Sequence, residues 1–500
     1  MTRTAEQLGA GLAPTRAARR IRAGERIHVV GVAGAGASAA ALLAADAGAM
    51  VSGCDPGGPS PYTPALDDAG IVLSWTHDPE HVTGDPPPDR LAVTKALTAI
   101  EPDHAELATA TRRGIPVEPW QQLVADAATG RTLIAVAGTH GKSTTAGWLT
   151  WLLAEGGLDP AAFVGALLPG SLTGGAPATA RRGRGAPFVV EADEYAGNFD
   201  AYRPTLVLLT GAEWDHPDVF ANRAAVLDAF EAWLGRVPSA TIVANAGDAG
   251  VRELLDRLAG RQGTIVRCGV VTLHGGATAG LDVQATILAS DPDGTSIAID
   301  GLADGAATPV RLPTFGAHNV ANALLVAAAG RELGLEPQVI AAGLASFPGI
   351  GRRLERKGEG RGVVVYDDYG HHPTAIRATI AALRQREPGR RLWAVYEPLT
   401  YHRTAALLDD FAAALAEADA VAVADIWASR DPDTTITSPG ALAAAVREHR
   451  TGLPAEAPGS VEATAAWLDR NVEPGDAVLV MGGGRSYRIA ELLVEALQRS

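Results

Sequence analysis

Ile134-Ala-Val-Ala-Gly138-Thr-His-Gly141-Lys142-Ser143-Thr144-Thr145 is the stretch whose reading decides the fold. A short apolar run, read as a buried strand, ends in a glycine-rich turn. Lys142 and hydroxyl residues follow, and a helical pattern runs from Ala146 to Leu153. This layout predicts a phosphate-binding loop. Backbone N–H groups and a helix N-terminus face an anion, the lysine neutralises phosphate charge, and a hydroxyl takes a magnesium ion. The general nucleotide-binding pattern would place glycine at Val136, so this is the shorter and narrower G-T-x-G-K-S-T form. The chain has only three lysines (Lys95, Lys142, Lys357) against many arginines, so lysine at 142 points to a compact ammonium being needed there. The plainer alternative is a strand–helix turn with a solvated lysine, and it loses weight as further motifs accumulate.

Five hundred residues suit about three domains. With 47% hydrophobic and 20% charged residues the composition is that of a soluble globular protein. A net charge of −15 and the lack of a long basic block argue against nucleic acid as a partner, so anionic ligands would need local basic sites and metal ions. Cys54 and Cys268 stand far apart without metal-ligand spacing, which fits a reduced, cytoplasmic compartment. Arg3, Arg16, Arg19, Arg20 and Arg22 have no apolar segment behind them, and no run approaches membrane-spanning length. Neither a signal peptide nor membrane insertion is expected. Residues 1–24 read as a loose extension or short helix.

Short apolar strands alternating with helical patterns predict an α/β protein with parallel sheets. A first domain is expected over 25–125, with strands at Arg26–Gly31 and Met50–Asp55 around a helix at Ala37–Ala47. A central domain is expected over 130–346, with strands at Thr132–Ala137, Phe188–Val190, Leu206–Leu209 and Thr241–Ala244. Within it, 264–313 alternates like an antiparallel edge, and Asn319–Glu332 reads as a helix. After a linker at Phe347–Arg353, a third domain over 352–500 carries strands at Val363–Tyr366, Leu392–Tyr396, Ala420–Ala424 and Ala477–Met481. Its helices are expected near 374–385, 404–417, 439–449 and 488–498.

Further motifs sit at predicted strand ends. Gly31-Val-Ala-Gly34-Ala35-Gly36-Ala-Ser38 follows a strand and opens a helix, so its backbone could approach a diphosphate. Its G-x-x-G-x-G spacing is not the dinucleotide one, and tight strand–helix packing explains it nearly as well. Asp55 closes the next strand, where a carboxylate could hold a sugar hydroxyl. Glu191-Ala-Asp193-Glu194 and Glu213-Trp-Asp215-His216-Pro-Asp218 each follow a strand beside the phosphate loop. Either alone reads as a solvated acidic loop; the pair points to metal binding. Asn319 and Asn322, at i and i+3, share a helix face and could read a purine edge, although Asn319 could equally cap the helix. Tyr366-Asp367-Asp368-Tyr369-Gly370-His371-His372-Pro373 and Tyr401-His402-Arg403-Thr404 gather carboxylates, histidines and an arginine at one sheet edge. Such a site could bind a carboxylated amine and help control its proton.

As a set, G-V-A-G-A-G-A-S, A-G-T-H-G-K-S-T-T, E-A-D-E, E-W-D-H, H-N-V-A-N, G-R-R and Y-D-D-Y-G-H-H-P resemble the Mur ligases, in that family's order over nearly all of the chain after residue 25. The histidine of G-T-H-G-K, the double histidine and H-R-T resemble the alanine-adding branch. The branch that attaches an intact stem tripeptide shares G-T-H-G-K and E-A-D-E-Y and is the nearest rival. The resemblance implies an N-terminal Rossmann-like domain for a UDP-sugar, a central P-loop ATPase-like parallel sheet for ATP, and a C-terminal Rossmann-like domain for the amino acid. It implies ATP and Mg2+ as cofactors, UDP-N-acetylmuramate and L-alanine as partners, and a monomer or weak dimer. Gly138, Thr139, His140, Gly141, Lys142, Ser143 and Thr144 would hold phosphates. Asn319, Asn322, Arg353 and Asp367 would contact ATP, and Ser143, Glu191 and His216 would be magnesium ligands. Gly34, Ala35, Gly36, Ser38 and Asp55 would face the UDP-sugar, and Tyr369, His371, His372 and Arg403 the amino acid. Lys142, Glu191, His216, His372 and Arg403 would carry the chemistry. A carboxylate would attack the γ-phosphate, and an amine would then displace phosphate from the acyl phosphate. Three departures stand out: Gly211 where the family has asparagine, Thr94-Lys95-Ala96-Leu97 in place of a small polar run, and Gly482-Gly483-Gly484-Arg485 near the C-terminus. A nucleotide-binding protein without turnover, or a dehydrogenase using 31–36, accounts for fewer of these residues.

Overall fold

A computed structural model of the chain describes residues 4–101, 103–271, 280–428, 431 and 433–499. Its framework is three sheets with helices packed against them, an α/β architecture throughout. β1 (Arg26–Val30), β2 (Met50–Cys54), β3 (Val72–Ser74), β4 (Arg90–Val93) and β5 (Val117–Pro119) pair in parallel in the order β3-β2-β1-β4-β5. The direction of winding reverses at β1, so the turn after it lies at the switch point of the sheet. The following helix, Ala35–Asp46, begins earlier than the pattern predicts because extended Gly34 is its N-cap.

Of the two readings of the segment before β1, the structure has the short helix, and the segment is anchored and not loose. Leu8, in a short helix (Ala5–Leu8), is fully buried against Tyr195 and Ala196. Arg16 pairs with Glu118 at 2.6 Å and Asp126 at 2.7 Å, and Arg19 pairs with Glu25 at 2.5 Å. The same three carboxylates surround the buried Arg90. One arginine cannot neutralise three buried carboxylates, so the leading segment is drawn in to supply two more.

The central sheet has ten strands: β6 (Thr132–Ala137), β7 (Ala161–Leu168), β8 (Ala178–Arg181), β9 (Pro187–Ala192), β10 (Leu206–Leu209), β11 (Thr241–Asn245), β12 (Ile265–Val271), β13 (Val283–Asp291), β14 (Gly294–Asp300) and β15 (Thr308–Leu312). Their order is β15-β14-β13-β12-β11-β10-β6-β9-β7-β8. The predicted antiparallel edge is formed by β13, β14 and β15, whereas β12 joins in parallel. Part of the predicted segment, 272–279, lies outside the described residues. β6 lies between β9 and β10, so the carboxylate motifs after those two strands flank the phosphate loop. The helix Ala317–Glu332 is capped by Gly316, with φ of 81°, and not by Asn319, whose amide donates to the Phe315 carbonyl at 2.9 Å.

The third sheet runs β16-β17-β21-β18-β19-β20, from β16 (Glu355–Gly360), β17 (Val363–Asp368), β18 (Arg391–Glu397), β19 (Ala420–Ala424), β20 (Ala455–Gly459) and β21 (Asp476–Gly482). All pairs are parallel except β16 with β17. β10, β19 and β21 are buried at every residue, as expected of parallel strands covered by helices on both faces. The helix expected over 404–417 is two, Tyr401–Ala406 and Leu408–Leu415, hinged at Leu407. Among the described residues no helix is long and apolar enough to cross a membrane.

Candidate active site

The phosphate loop has the backbone its glycines were expected to supply. Gly138 and Gly141 adopt φ of 133° and 76°. A Cβ on Gly138 would lie 2.3 Å from the Thr210 hydroxyl, and one on Gly141 would lie 2.6 Å from Asn322 Oδ1. These positions exclude side chains and leave backbone to face an anion. The helix Lys142–Glu155 starts directly behind, with its N-terminus toward the loop. Lys142 Nζ donates to the Gly138 carbonyl at 2.6 Å and to Glu194 Oε2 at 3.2 Å. Burial lowers its pKa, but Glu194, Asp193 and Glu191 outweigh burial and raise it, so the ammonium stays charged.

Carboxylates and histidines surround that ammonium. Ser143 Oγ donates to Glu191 Oε1 at 2.9 Å and accepts from Arg353 Nη2 at 2.8 Å, while Glu191 Oε2 accepts the Gly165 N–H at 2.6 Å. Asp193, Glu194 and His216 form a second group, with ligand atoms within 4.8 Å of one another. Burial pushes Glu194 up to about 7 against the pull of Lys142. Its Oε1 is buried without a hydrogen-bond partner among the described residues. An orphaned carboxylate oxygen beside a charged lysine, an aspartate and a histidine suits a divalent cation. The predicted set of Ser143, Glu191 and His216 is thus split between these two neighbouring groups.

The third domain meets the loop directly. Arg403 Nη2 lies 2.5 Å from Asp215 Oδ1 and 3.1 Å from His216 Nδ1, with both charged side chains buried. Burial would raise the Asp215 pKa, but Arg403 holds it well below the usual carboxylate range. His140 Nε2 is 3.1 Å from Glu213 Oε2, which also accepts from Thr374 Oγ1 at 2.8 Å. His372 caps the helix Pro373–Arg386 by accepting the Thr374 N–H at 3.4 Å, and its Nε2 is 3.2 Å from the Trp214 carbonyl. Those partners make Nδ1 the acceptor and Nε2 the donor. With both nitrogens engaged, His372 holds the second and third domains together, and burial, then His140, lowers its pKa to about 4. His371 donates Nδ1–H to the Tyr369 carbonyl at 2.9 Å, which leaves the Nε2 lone pair available.

One cleft of 360 Å³ joins these groups. Gly36, Lys95 and Trp120 line it from the first domain; Lys142, Glu191, Asp193 and His216 from the second; Arg353, Tyr369, His371, His372 and Arg403 from the third. A recess of 230 Å³ behind Gly141 and Thr144 is lined by Asn319, Asn322, His318 and Asp368. Asn322 donates to Asn319 Oδ1 at 3.2 Å. Asp367 is not in that recess. It lines a neighbouring hollow, where it takes Arg352 Nε at 3.0 Å, and the Arg352 and Arg353 guanidinium groups stack on Tyr369. In the glycine turn Gly36 reaches the cleft but also sits under Trp120, which a Cβ would meet at 2.2 Å. Gly34 caps the helix and Ala35 begins it. Ser38 is fully buried, bonded to the Ala35 carbonyl and Thr179 at 3.0 Å. Asp55 ties the turn down by accepting from the Ala33 and Gly57 N–H groups.

Sequence profiles match three consecutive segments. Residues 26–132 match the Mur ligase family catalytic domain, 136–330 the Mur ligase middle domain, and 352–484 the Mur ligase glutamate ligase domain. The chain belongs to the Mur ligase family. A UDP-N-acetylmuramate–L-alanine ligase of Kineococcus radiotolerans is 39% identical to this Mur ligase over 92% of its chain and 93% of the relative's. One of Mycolicibacterium vanbaalenii is 37% identical over 95% and 97%. Among solved structures, a UDP-N-acetylmuramate–alanine ligase of Thermotoga maritima superposes with a TM-score of 0.75 at 24% identity, covering 94% of this chain and 98% of that one. A murein peptide ligase of Psychrobacter arcticus gives 0.71 at 25%, covering 95% and 99%.

Several groups in this Mur ligase site were not singled out from sequence. Glu194 was one letter of an acidic loop, and only its burial against Lys142 marks it. Asp215 was likewise read with its neighbours, and its pairing with Arg403 spans 188 residues. Lys95 is drawn into the cleft, its Nζ donating to the Ala196 carbonyl at 2.6 Å. The scarcity of lysine was the available signal.

Proposed function

We propose that this Mur ligase joins L-alanine to UDP-N-acetylmuramate in peptidoglycan precursor synthesis, with ATP as the energy source and Mg2+ as the metal. The reading rests on one observation above the rest: a single cleft receives a phosphate loop, a carboxylate–histidine group and an arginine–histidine edge from successive domains. Relatives named for this reaction match the chain nearly end to end. The recess behind Gly141, with Asn319 and Asn322, is the place for the nucleotide base, and Lys142 for the β/γ-phosphates. Asp193, Glu194 and His216, with Ser143 and Glu191, would hold magnesium, which when bound offsets phosphate charge.

The chemistry needs no side-chain nucleophile. The carboxylate oxygen of the sugar's lactyl group attacks the γ-phosphorus, the bond to the ADP oxygen breaks, and an acyl phosphate forms. The α-amine nitrogen then attacks the acyl carbon, phosphate leaves, and the amine gives up a proton. Lys142 steadies charge between the two anions in the first step. Arg403 presents a cation toward the amino acid's carboxylate, and His371 Nε2 is the lone pair nearest in kind to what the amine proton needs. One chain supplies every group, so a monomer suffices. Cys54 and Cys268 are free and buried, in keeping with a cytoplasmic location.

The deciding experiment is phosphate release from ATP and magnesium with UDP-N-acetylmuramate, supplying L-alanine, glycine, L-serine and the stem tripeptide separately. Release requiring both the UDP-sugar and L-alanine is the expected result. Release with the tripeptide alone would move the chain to the tripeptide-attaching branch and direct attention to 94–97 and 482–485.

A further inference from the structure

Away from the cleft, the first domain gathers four of the chain's 12 histidines and one of its two cysteines around one carboxylate. Cys54 ends β2, His28 lies on β1, and His77 and His81 flank the start of the short helix Glu80–Thr83. His104 and Glu106 open the helix Ala105–Arg112. Cys54 Sγ is 3.3 Å from His28 Nε2, 3.3 Å from His77 Nδ1 and 3.3 Å from Glu106 Oε2. His81 Nδ1 is 2.7 Å from Glu106 Oε1. Ligand atoms of His28, Cys54, His81 and Glu106 all lie within 4.8 Å of one another, and those of His77, His104 and Glu106 do likewise.

We propose that this cluster is a transition-metal site of the zinc type, with His28, Cys54, His81 and Glu106 as the first candidates for ligands and His77 and His104 beside them. Bond lengths of ~2.1 Å to nitrogen and ~2.3 Å to sulfur on a tetrahedron separate those ligands by about 3.6 Å. Separations of 3.3 Å from the sulfur need only a few tenths of an ångström of adjustment. The donor set of thiolate, imidazole and carboxylate is the one zinc prefers. His28, Cys54 and Glu106 are buried and His81 is half-buried, so four side chains enclose the site from within the domain, as in structural zinc sites.

Two further observations point the same way. His104 is 2% exposed, and its Nδ1 is buried with no hydrogen-bond partner among the described residues, a cost that a hydrogen-bonded packing cluster would not leave standing. Outer partners are also in place. Ser52 Oγ, 2.9 Å from His28 Nδ1, can take that ring proton and leave Nε2 free for the ion, and the Asp78 N–H holds Glu106 Oε1 at 2.6 Å. On binding, the Cys54 thiol yields its proton to solvent and its sulfur forms the bond to the metal. The ion would brace the glycine turn, because the Cys54 carbonyl accepts the Gly31 N–H at 2.8 Å.

The test uses the full-length protein purified without chelator. Elemental analysis should find stoichiometric zinc, and exchange with Co2+ should give tetrahedral absorption bands plus a thiolate-to-cobalt charge-transfer band. Cys54→Ser should abolish the charge-transfer band, Cys268→Ser should keep it, and His81→Ala should weaken Zn2+ binding at least ~10-fold. A strong chelator should lower the Tm of the wild type and leave that of Cys54→Ser unchanged. Absence of both zinc and cobalt binding, or a charge-transfer band that survives Cys54→Ser, would overturn the proposal whatever the substrate assays return.

Discussion

At the scale of single residues, environment decides which groups carry charge. Lys142 keeps its proton because three carboxylates outweigh its burial. Lys142→Ala therefore removes the positive charge that phosphate would meet and leaves Glu194 and Asp193 facing it. Phosphate release should fall on the order of 10³-fold. His372 is the opposite case. Its ordinary pKa of 6.5 falls to about 4 in the folded chain, chiefly through burial and then through His140. Between pH 6.5 and 4 the unfolded chain binds a proton that the native chain refuses. Stability present above pH 6.5 is therefore lost as the pH falls toward 4, by up to ~3 kcal/mol from this residue. Melting curves at pH 7, 5.5 and 4.5 should show a shallower acid-side decline in His372→Asn than in the wild type. Equal slopes would mean that the ring is not held neutral.

At the scale of elements, the leading segment is tied to the first sheet by charge. Arg90 lies at the start of β4 among Glu25, Glu118 and Asp126, and Arg16 and Arg19 close over the same carboxylates. Against its burial, the Arg19 side chain, the Arg22 backbone N–H and the Arg90 charge hold Glu25 down to about 2. Removing the central cation leaves buried carboxylates under-neutralised, so Arg90→Ala should cost about 3–5 kcal/mol in urea unfolding. Arg22, largely exposed, should cost well under 1 kcal/mol when changed to Ala. A small loss for Arg90→Ala would show that Arg16 and Arg19 together can serve the three carboxylates. The sequence displayed these arginines as a list. Only the pairing of β4 with β5 and the helix behind it gave them partners.

At the scale of the molecule, the cleft exists because the third domain closes on the second. Arg403 with Asp215, Thr374 with Glu213, and His372 with the Trp214 carbonyl all cross that boundary within one loop. Arg403→Ala should raise the KM for the amino acid more than the KM for ATP, because the recess beside Asn319 and Asn322 is built without it. Parallel increases in both constants would assign Arg403 to domain closure alone.

Much of this protein was legible along the chain. The glycine turn before the helix Lys142–Glu155 and the strands β6, β9, β10, β17 and β21 follow from apolar runs ending in glycine or carboxylate, a local signal that parallel buried strands carry unaided, and the order of the three domains follows from the family resemblance. β16, half exposed and charged as Glu-Arg-Lys-Gly-Glu-Gly, had no such signal and was missed. What only the tertiary structure decided were partnerships across sequence distance. These are the pairing of Arg403 with Asp215, the cross-domain hold of His372, the placing of Asp367 and Asn322 in two neighbouring hollows, and the meeting of His28, Cys54, His81 and Glu106. Each ligand in that last group lies at least 25 residues from the next or faces it across a helix start, so no spacing in the sequence announces it; strand order and helix placement bring the atoms together.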